Sequence, residues 1–273
     1  VHNNIRRLAD RLIGAGTLVW AIGALSGCAQ NSPPDFTGIW SGNFTTQDNE
    51  FWQVEDFTAC FAGCSPASRQ FLSSLLDDPA NDERPVQELW NQTVGFMRQE
   101  LAAKATAEGL ASQNTNTEAN DPTILCAPYG LVRQAANPLP LAIRRDGENL
   151  VIDYEEWGQS RTIYMDGRGH PPNPAPTRLG HSIGRYEGAA LVVETVGLEP
   201  DIYYSFQSGG SYSAQTTVVE RYTLHDDPRR LVLEMTVTDP VMLREPHVLA
   251  KTWLSTPDLE MIEDSCEDIP GKP

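Results

Sequence analysis

The sequence predicts a mainly β protein, an antiparallel lipocalin-like barrel or strongly curved sheet with a helical insertion near residues 65–112. Two observations carry this expectation. From Leu139 onward, short apolar runs recur between turn signals at near-regular spacing, as in a meander or barrel. Over residues 67–112 the apolar spacing changes instead to three- and four-residue steps, the period of a helix.

The elements follow in order. Phe36 to Phe44 places Ile39 and Trp40 between turn-forming glycines and reads as a first short strand. Phe71, Leu72, Leu75 and Leu76 share one helix face, and Val86, Leu89, Trp90, Val94, Met97 and Leu101 continue an amphipathic pattern behind Pro85. Residues 112–122 are polar and read as an exposed loop. Leu141 to Arg145 and Leu150 to Trp157 flank Asp146-Gly147 as a hairpin. Arg161 to Met165 ends at Asp166-Gly167, and the proline-rich stretch 168–178 is no central strand. His181 to Glu187, Leu191 to Val196, Thr216 to Leu224, Leu231 to Val237 and Val248 to Leu254 complete the strands. Leu231, Leu233, Met235 and Val237 alternate with Val232, Glu234 and Thr236, which gives one apolar face.

The N-terminus reads as an address. Arg6, Arg7 and Arg11 precede the apolar run Leu12 to Ala24, which is too short and too glycine-rich to span a bilayer. Leu25-Ser26-Gly27-Cys28 then fits a lipobox, with Cys28 as the acylated residue. The expected organisation is a signal peptide over 1–27, a lipidated tether over 28–35 and a single β-rich domain over 36–273. Lipid on Cys28 would anchor the protein to a membrane, and Ala29 after it suits outer-membrane sorting from the bacterial periplasm. An uncleaved membrane anchor, or a cytosolic protein with an apolar start, is the alternative.

Without residues 1–27 the chain holds 17 basic and 36 acidic residues, a formal charge of −19. Such a chain repels phosphate backbones, so nucleic acid is not an expected partner. Cys60, Cys64, Cys126 and Cys266 suggest disulfides in an oxidising compartment. Four cysteines allow three pairings, of which Cys60–Cys64 and Cys126–Cys266 are favoured. Zinc at Cys60-x3-Cys64 lacks a second ligand pair at suitable spacing.

Several stretches resemble a group of secreted bacterial proteins and lipoproteins. They are Cys126-Ala-Pro-Tyr-Gly130, Tyr164-Met-Asp-Gly-Arg-Gly-His-Pro171, Gly180-His-Ser-Ile-Gly-Arg-Tyr-Glu-Gly188 with Leu191-Val-Val-Glu-Thr195, and Val218-Val-Glu-Arg-Tyr222. The resemblance implies secretion and a β-rich body and carries no catalytic assignment. The chain departs from the group's usual pattern at Tyr186, at Ala189-Ala190 and at Thr217.

Three constellations bear chemistry. Gly180-His181-Ser182-Ile183-Gly184 fits the G-x-S-x-G nucleophile elbow, with Asp239 and His247 following in the right order. That motif needs a strand before the serine and a helix after it, and the flanking sequence offers neither. His170 and His181 flank the proline-rich segment, where they meet around a metal or as an acid/base site, or serve as structural or surface histidines. Glu155, Arg161, Glu194, Glu220, Arg221 and Glu234 interrupt apolar strand runs. In a barrel they either converge inside or form ion pairs on the solvent face. Glu155, His181 and Glu220 are the catalytic candidates on the first reading. Tyr154, Arg161, Tyr164, His170, Glu194 and Arg221 are the ligand-binding candidates. The loop 201–213, with Tyr203, Tyr204, Phe206 and Tyr212, is suited to covering a pocket.

The expected function is a membrane-anchored periplasmic lipoprotein that binds a small apolar or amphipathic molecule in the barrel. A cofactor-independent lyase, isomerase or hydratase on the same scaffold is one alternative. A structural lipoprotein of an envelope complex is the other. No cofactor and no metal is expected.

Overall fold

The computed structural model describes residues 33–42, 64–117, 119, 121–122, 126–137, 139–200, 209–227 and 229–262, all within the compact unit Pro33–Pro273. The lipobox, Cys60, Cys266 and the aromatic loop positions Tyr203, Tyr204 and Phe206 lie outside the described residues.

Nine strands form a closed barrel in sequence order. They are β1 (Gly38–Ser41), β2 (Leu141–Asp146), β3 (Asn149–Tyr154), β4 (Ser160–Tyr164), β5 (His181–Glu187), β6 (Ala190–Val196), β7 (Thr217–His225), β8 (Arg230–Thr238) and β9 (His247–Ser255). Closure comes from β1 against β9, through Trp40↔Ser255 and Ser41↔Leu254. The expected Asp146-Gly147 turn is present, with Gly147 at φ 60° between the register partners Asp146 and Asn149. A positive φ at that point matches the twist of the flanking strands.

Alternation decides what faces inward. Leu231, Leu233, Met235 and Val237 are fully buried in one core cluster with Trp40, Ile143, Ile152, Leu191, Val193 and Trp253. Each such side chain contributes about 1.5–3 kcal/mol by leaving water. The intervening Glu234 is exposed, as is Arg221, which is its register partner on β7.

The barrel is not purely antiparallel, and this corrects the expectation. β4 and β5 run parallel, joined by only two register pairs, Ile163↔Ser182 and Tyr164↔Ile183. The reason is the intervening segment 165–180, long enough to carry the chain back to the starting end of β4. A tight hairpin forces antiparallel neighbours, whereas parallel ones require such a crossover.

The helical insertion comprises α1 (Pro66–Leu76), α2 (Val86–Lys104) and α3 (Ala107–Thr115). Ser65 caps α1 and Thr106 caps α3, each accepting from a backbone N–H three residues on. Residues 112–115, expected as loop, belong to α3, because the Thr106 cap nucleates a turn that the polar residues continue. The insertion is fastened to the barrel at several points, two of them at its start and before α3. Cys64 bridges Ala250 on β9, and Thr106 donates from its backbone to Met242 O and from its hydroxyl to Val241 O.

A further helix, α4 (Leu131–Ala136), was not expected. Leu131, Val132 and Ala135 join the barrel core, and two N–H groups of its first turn donate to Arg178 O and Tyr212 Oη. Those are donors that a helix start leaves without intrahelical partners. Cys126 is a free thiol, so the expected Cys126–Cys266 tie is not made. An even cysteine count says nothing about whether two Cα atoms reach the ~4.4–6.8 Å that a disulfide needs. Cys64 is fully buried, and its favoured partner Cys60 lies outside the described residues.

Candidate functional site: the parallel seam

The seam between β4 and β5 is where the barrel wall is incomplete. The strands pair only at the end of β4, so Gln159–Thr162 and Thr177–Gly180 face each other without a ladder. An open cleft of about 400 Å³ lies there, lined among others by Arg161, Thr162, Tyr164, Arg178, His181 and Ser182. Gly180 lines the cleft and packs closely against β6. It sits at φ 69°, and a Cβ there would meet Thr195 Cγ2 at 2.6 Å and Val196 O at 2.7 Å.

Arg161, which points inward from β4, lies at the base of this cleft. Its two Nη groups donate to the two Glu220 carboxylate oxygens at 2.7 Å each, and Nη2 also donates to Tyr222 Oη at 3.2 Å. Tyr222 Oη donates in turn to Glu220 at 2.7 Å. Burial alone would weaken the Arg161 charge. Glu220 and the phenols of Tyr154 and Tyr222 outweigh that and hold the guanidinium charged. Burial, followed by the Glu220 charge, pushes the Tyr222 phenol far above its ordinary range, so it stays neutral. Tyr154 lies beside this cluster, its ring centroid 6.0 Å from the guanidinium, and is also kept neutral chiefly by burial. The Nε–H of Arg161 is buried and makes no well-formed hydrogen bond among the described residues.

The outer lip carries a second group. Tyr164 stacks on His181 at a centroid distance of 5.1 Å, and Arg168 lies 4.1 Å over the Tyr164 ring. His170 meets His181 edge-on, with the two Nδ1 atoms 2.8 Å apart. Only one proton fits between those nitrogens, so one ring donates and the other accepts. Partial burial, then the neighbouring charges of His170 and Arg168, lowers the His181 pKa. His170 Nε2 faces Glu194 Oε1 at 3.5 Å.

The expected site residues therefore divide. Arg161, Glu220 and Tyr154 meet inside the barrel, while Tyr164, His170, His181 and Glu194 gather on the lip. Arg221 stands apart on the solvent face, paired with Glu187 at 2.9 Å. Glu155 lies beyond the end of β3 and accepts from the Ile262 backbone at 3.1 Å. Tyr222, Arg168 and Arg178 were missing from the expected set. Tyr222 carried a signal, since it follows Glu220 by two residues and so shares its face.

The nucleophile elbow is absent. Ser182 is the second residue of β5, buried, and its hydroxyl is hydrogen-bonded to Thr195 at 2.8 Å. Asp239 instead organises the turn after β8, accepting from Ser213, Thr216, Val241 and Met242. His247 lies buried at the start of β9, where its surroundings include Glu100 and Lys104 of α2. Among the described residues no group of three or more His, Cys, Asp or Glu side chains is arranged to hold a metal ion.

In comparisons with known proteins, the chain matches no family profile, no curated protein and no solved structure.

Proposed function

We propose that the protein is a membrane-anchored periplasmic lipoprotein that binds a small amphipathic molecule in the cleft of the β4–β5 seam. The observation that carries this reading is the gap in the barrel wall. A cleft of about 400 Å³ falls within the size range of small-molecule sites, and it combines an apolar wall at Leu179 with a few polar groups. The barrel interior is the poorer candidate. Trp40, Trp253, Tyr222 and the Arg161–Glu220 pair occupy it, and α4 adds Leu131 and Val132 to the same core.

A second reading has its own support. His181 lines the cleft and is held neutral by burial and neighbouring positive charge, which is the state a general base requires. On that reading the same cleft serves a cofactor-independent lyase, isomerase or hydratase.

Native mass spectrometry of the full lipidated protein, extracted from its own membranes in detergent, tests the binding reading. A co-purifying small molecule that Thr162→Trp excludes is the expected result. Bound mass that persists in that variant would move the site elsewhere. Steady conversion of a bound species, abolished by His181→Gln, would favour the enzyme.

A further inference from the structure

The seam cleft differs in charge from the chain taken as a whole. The chain as a whole carries a formal charge of −17. Yet the residues lining this cleft include Arg161, Arg178 and His181 and not a single Asp or Glu. Ser160, Thr162 and Thr177 add hydroxyl groups to the same lining. Resting on the binding reading above, we infer that the seam cleft recognises the anionic end of its ligand, a carboxylate or phosphate carried on a small apolar body.

The two arginines play different parts. The charge of Arg161 is matched by Glu220, which occupies both Nη groups. What remains is its Nε–H, buried and without a well-formed hydrogen bond among the described residues, on a side chain that is 3 % exposed, lies beside the Tyr154 phenol and lines the cleft. A donor in that state has already lost its water, so an acceptor brought by a ligand recovers a hydrogen bond without further desolvation of the protein. Arg178 supplies the net charge. Its Nη1 is held by Pro128 O, which fixes the side chain, and its nearest carboxylate, Glu199, is 3.9 Å from Nε and 44 % exposed. So loose a surface partner neutralises little of the charge. Arg168 and the two imidazoles stand at the lip, and Glu194 faces His170 there without lining the cleft.

The surrounding negative surface sharpens the choice. An acidic protein repels anions from its surface in general, so a cleft with no Asp or Glu in its lining and one loosely paired guanidinium is a place where an anion gains by binding. The Thr162 hydroxyl suits an oxygen-rich head group, whereas those of Ser160 and Thr177 already donate to the Asp153 carboxylate and to Gly180 O. Leu179, buried at the cleft wall, suits an apolar body.

Equilibrium dialysis of the full-length lipidated protein in nanodiscs tests this, with empty nanodiscs subtracted. The probes are 1-naphthoate, 1-naphthyl phosphate and the neutral 1-naphthamide, which share one ring system. At least one anion is expected to bind ten-fold or more tightly than the amide. Thr162→Trp, which fills the cleft, should abolish all binding. Arg178→Gln should bring the anions down to the level of the amide while leaving the amide unchanged, and Arg178→Lys should restore most of the difference. The ratio of naphthoate to naphthyl phosphate then separates carboxylate from phosphate, and either supports the inference. If the amide binds as well as both anions and Thr162→Trp still removes it, the anion inference fails and the cleft reading stands. If binding survives Thr162→Trp, or no probe binds, both fail. Should Arg178→Gln melt early, the salt dependence of the wild type decides. Anion affinity must fall with added sodium chloride while amide affinity does not, and equal salt dependence overturns the inference.

Discussion

The two polar groups at the seam sit on opposite sides of one barrel wall and are held in opposite ways. Inside, Arg161, Glu220 and Tyr222 form a buried network in which the ion pair is 3 % and 0 % exposed. Outside, Tyr164, His170, His181 and Glu194 are only partly buried and joined by rings and a single nitrogen–nitrogen contact. The difference follows from depth. A charge out of water must be paired, and its partner is then difficult to remove. A half-exposed imidazole keeps access to water and can change its protonation at little cost. The inner group is built to stay as it is, and the outer one is able to respond.

The largest effect that would break this contrast is at the inner pair. Glu220→Gln leaves Arg161 buried without a counter-charge and should cost about 3–5 kcal/mol of stability, measured by urea unfolding. The double variant Arg161→Met, Glu220→Leu should recover most of that loss, because neither charge remains to be desolvated. A single-variant loss below about 1 kcal/mol would mean that water reaches the pair.

Acid should next separate deep from shallow histidines. Burial, followed by the Lys104 charge, pushes the His247 pKa down to about 4 from 6.5. The unfolded chain therefore takes up this proton first. Stability is intact above pH 6.5 and is lost as pH falls through the window from 6.5 to 4, by about 3 kcal/mol for this site. His181 is lowered in the same sense and contributes a smaller loss beginning at the same upper limit. Below that window, carboxylates held beneath their ordinary range take over. Asp239 and Glu100 are of this kind, since in both the donated hydrogen bonds outweigh burial. A His247→Phe variant should flatten unfolding free energy across the upper window, and an unchanged slope would assign the loss elsewhere.

At the lip the expected changes are smaller. His170→Asn should cost under about 1 kcal/mol, as partly exposed polar substitutions do. It should also raise the His181 pKa, because the positive charge of His170 is one of the causes holding it down. Two-dimensional NMR titration of the imidazole signals reads this directly, and an unmoved His181 would leave burial and the Arg168 charge as its causes. Of similar size, Ser182→Ala should cost about 1 kcal/mol of stability through the lost Thr195 hydrogen bond, and leave any esterase activity untouched. Loss of such activity would restore the nucleophile reading.

Much of the fold was readable from local pattern. The β5 bounds His181–Glu187 coincide with those expected, and β8 differs by one residue at each end. Alternation within a strand is a local property, so it survives without tertiary information. α4 was not legible, because Leu131–Ala136 is too short to display a helical period and owes its helix to the core it enters. The site was legible in part. Arg161, Glu220, His170 and His181 could be picked out as unusual, but they could not be sorted into two groups. Alternation places Arg161 and Ile163 on one face of β4 and Thr162 and Tyr164 on the other, without saying which face is buried.

By itself the sequence determined the positions of the strands, the helical insertion, and the sets of residues that share a face. These depend on spacing along the chain, with a period of two in strands and 3.6 in helices. Only the tertiary structure decided that β4 and β5 are parallel, that a cleft opens between them, and that Arg161 meets Glu220 across the interior. Those facts depend on how a tilted sheet closes on itself. Closure brings together residues 59 positions apart, and no local period encodes that meeting.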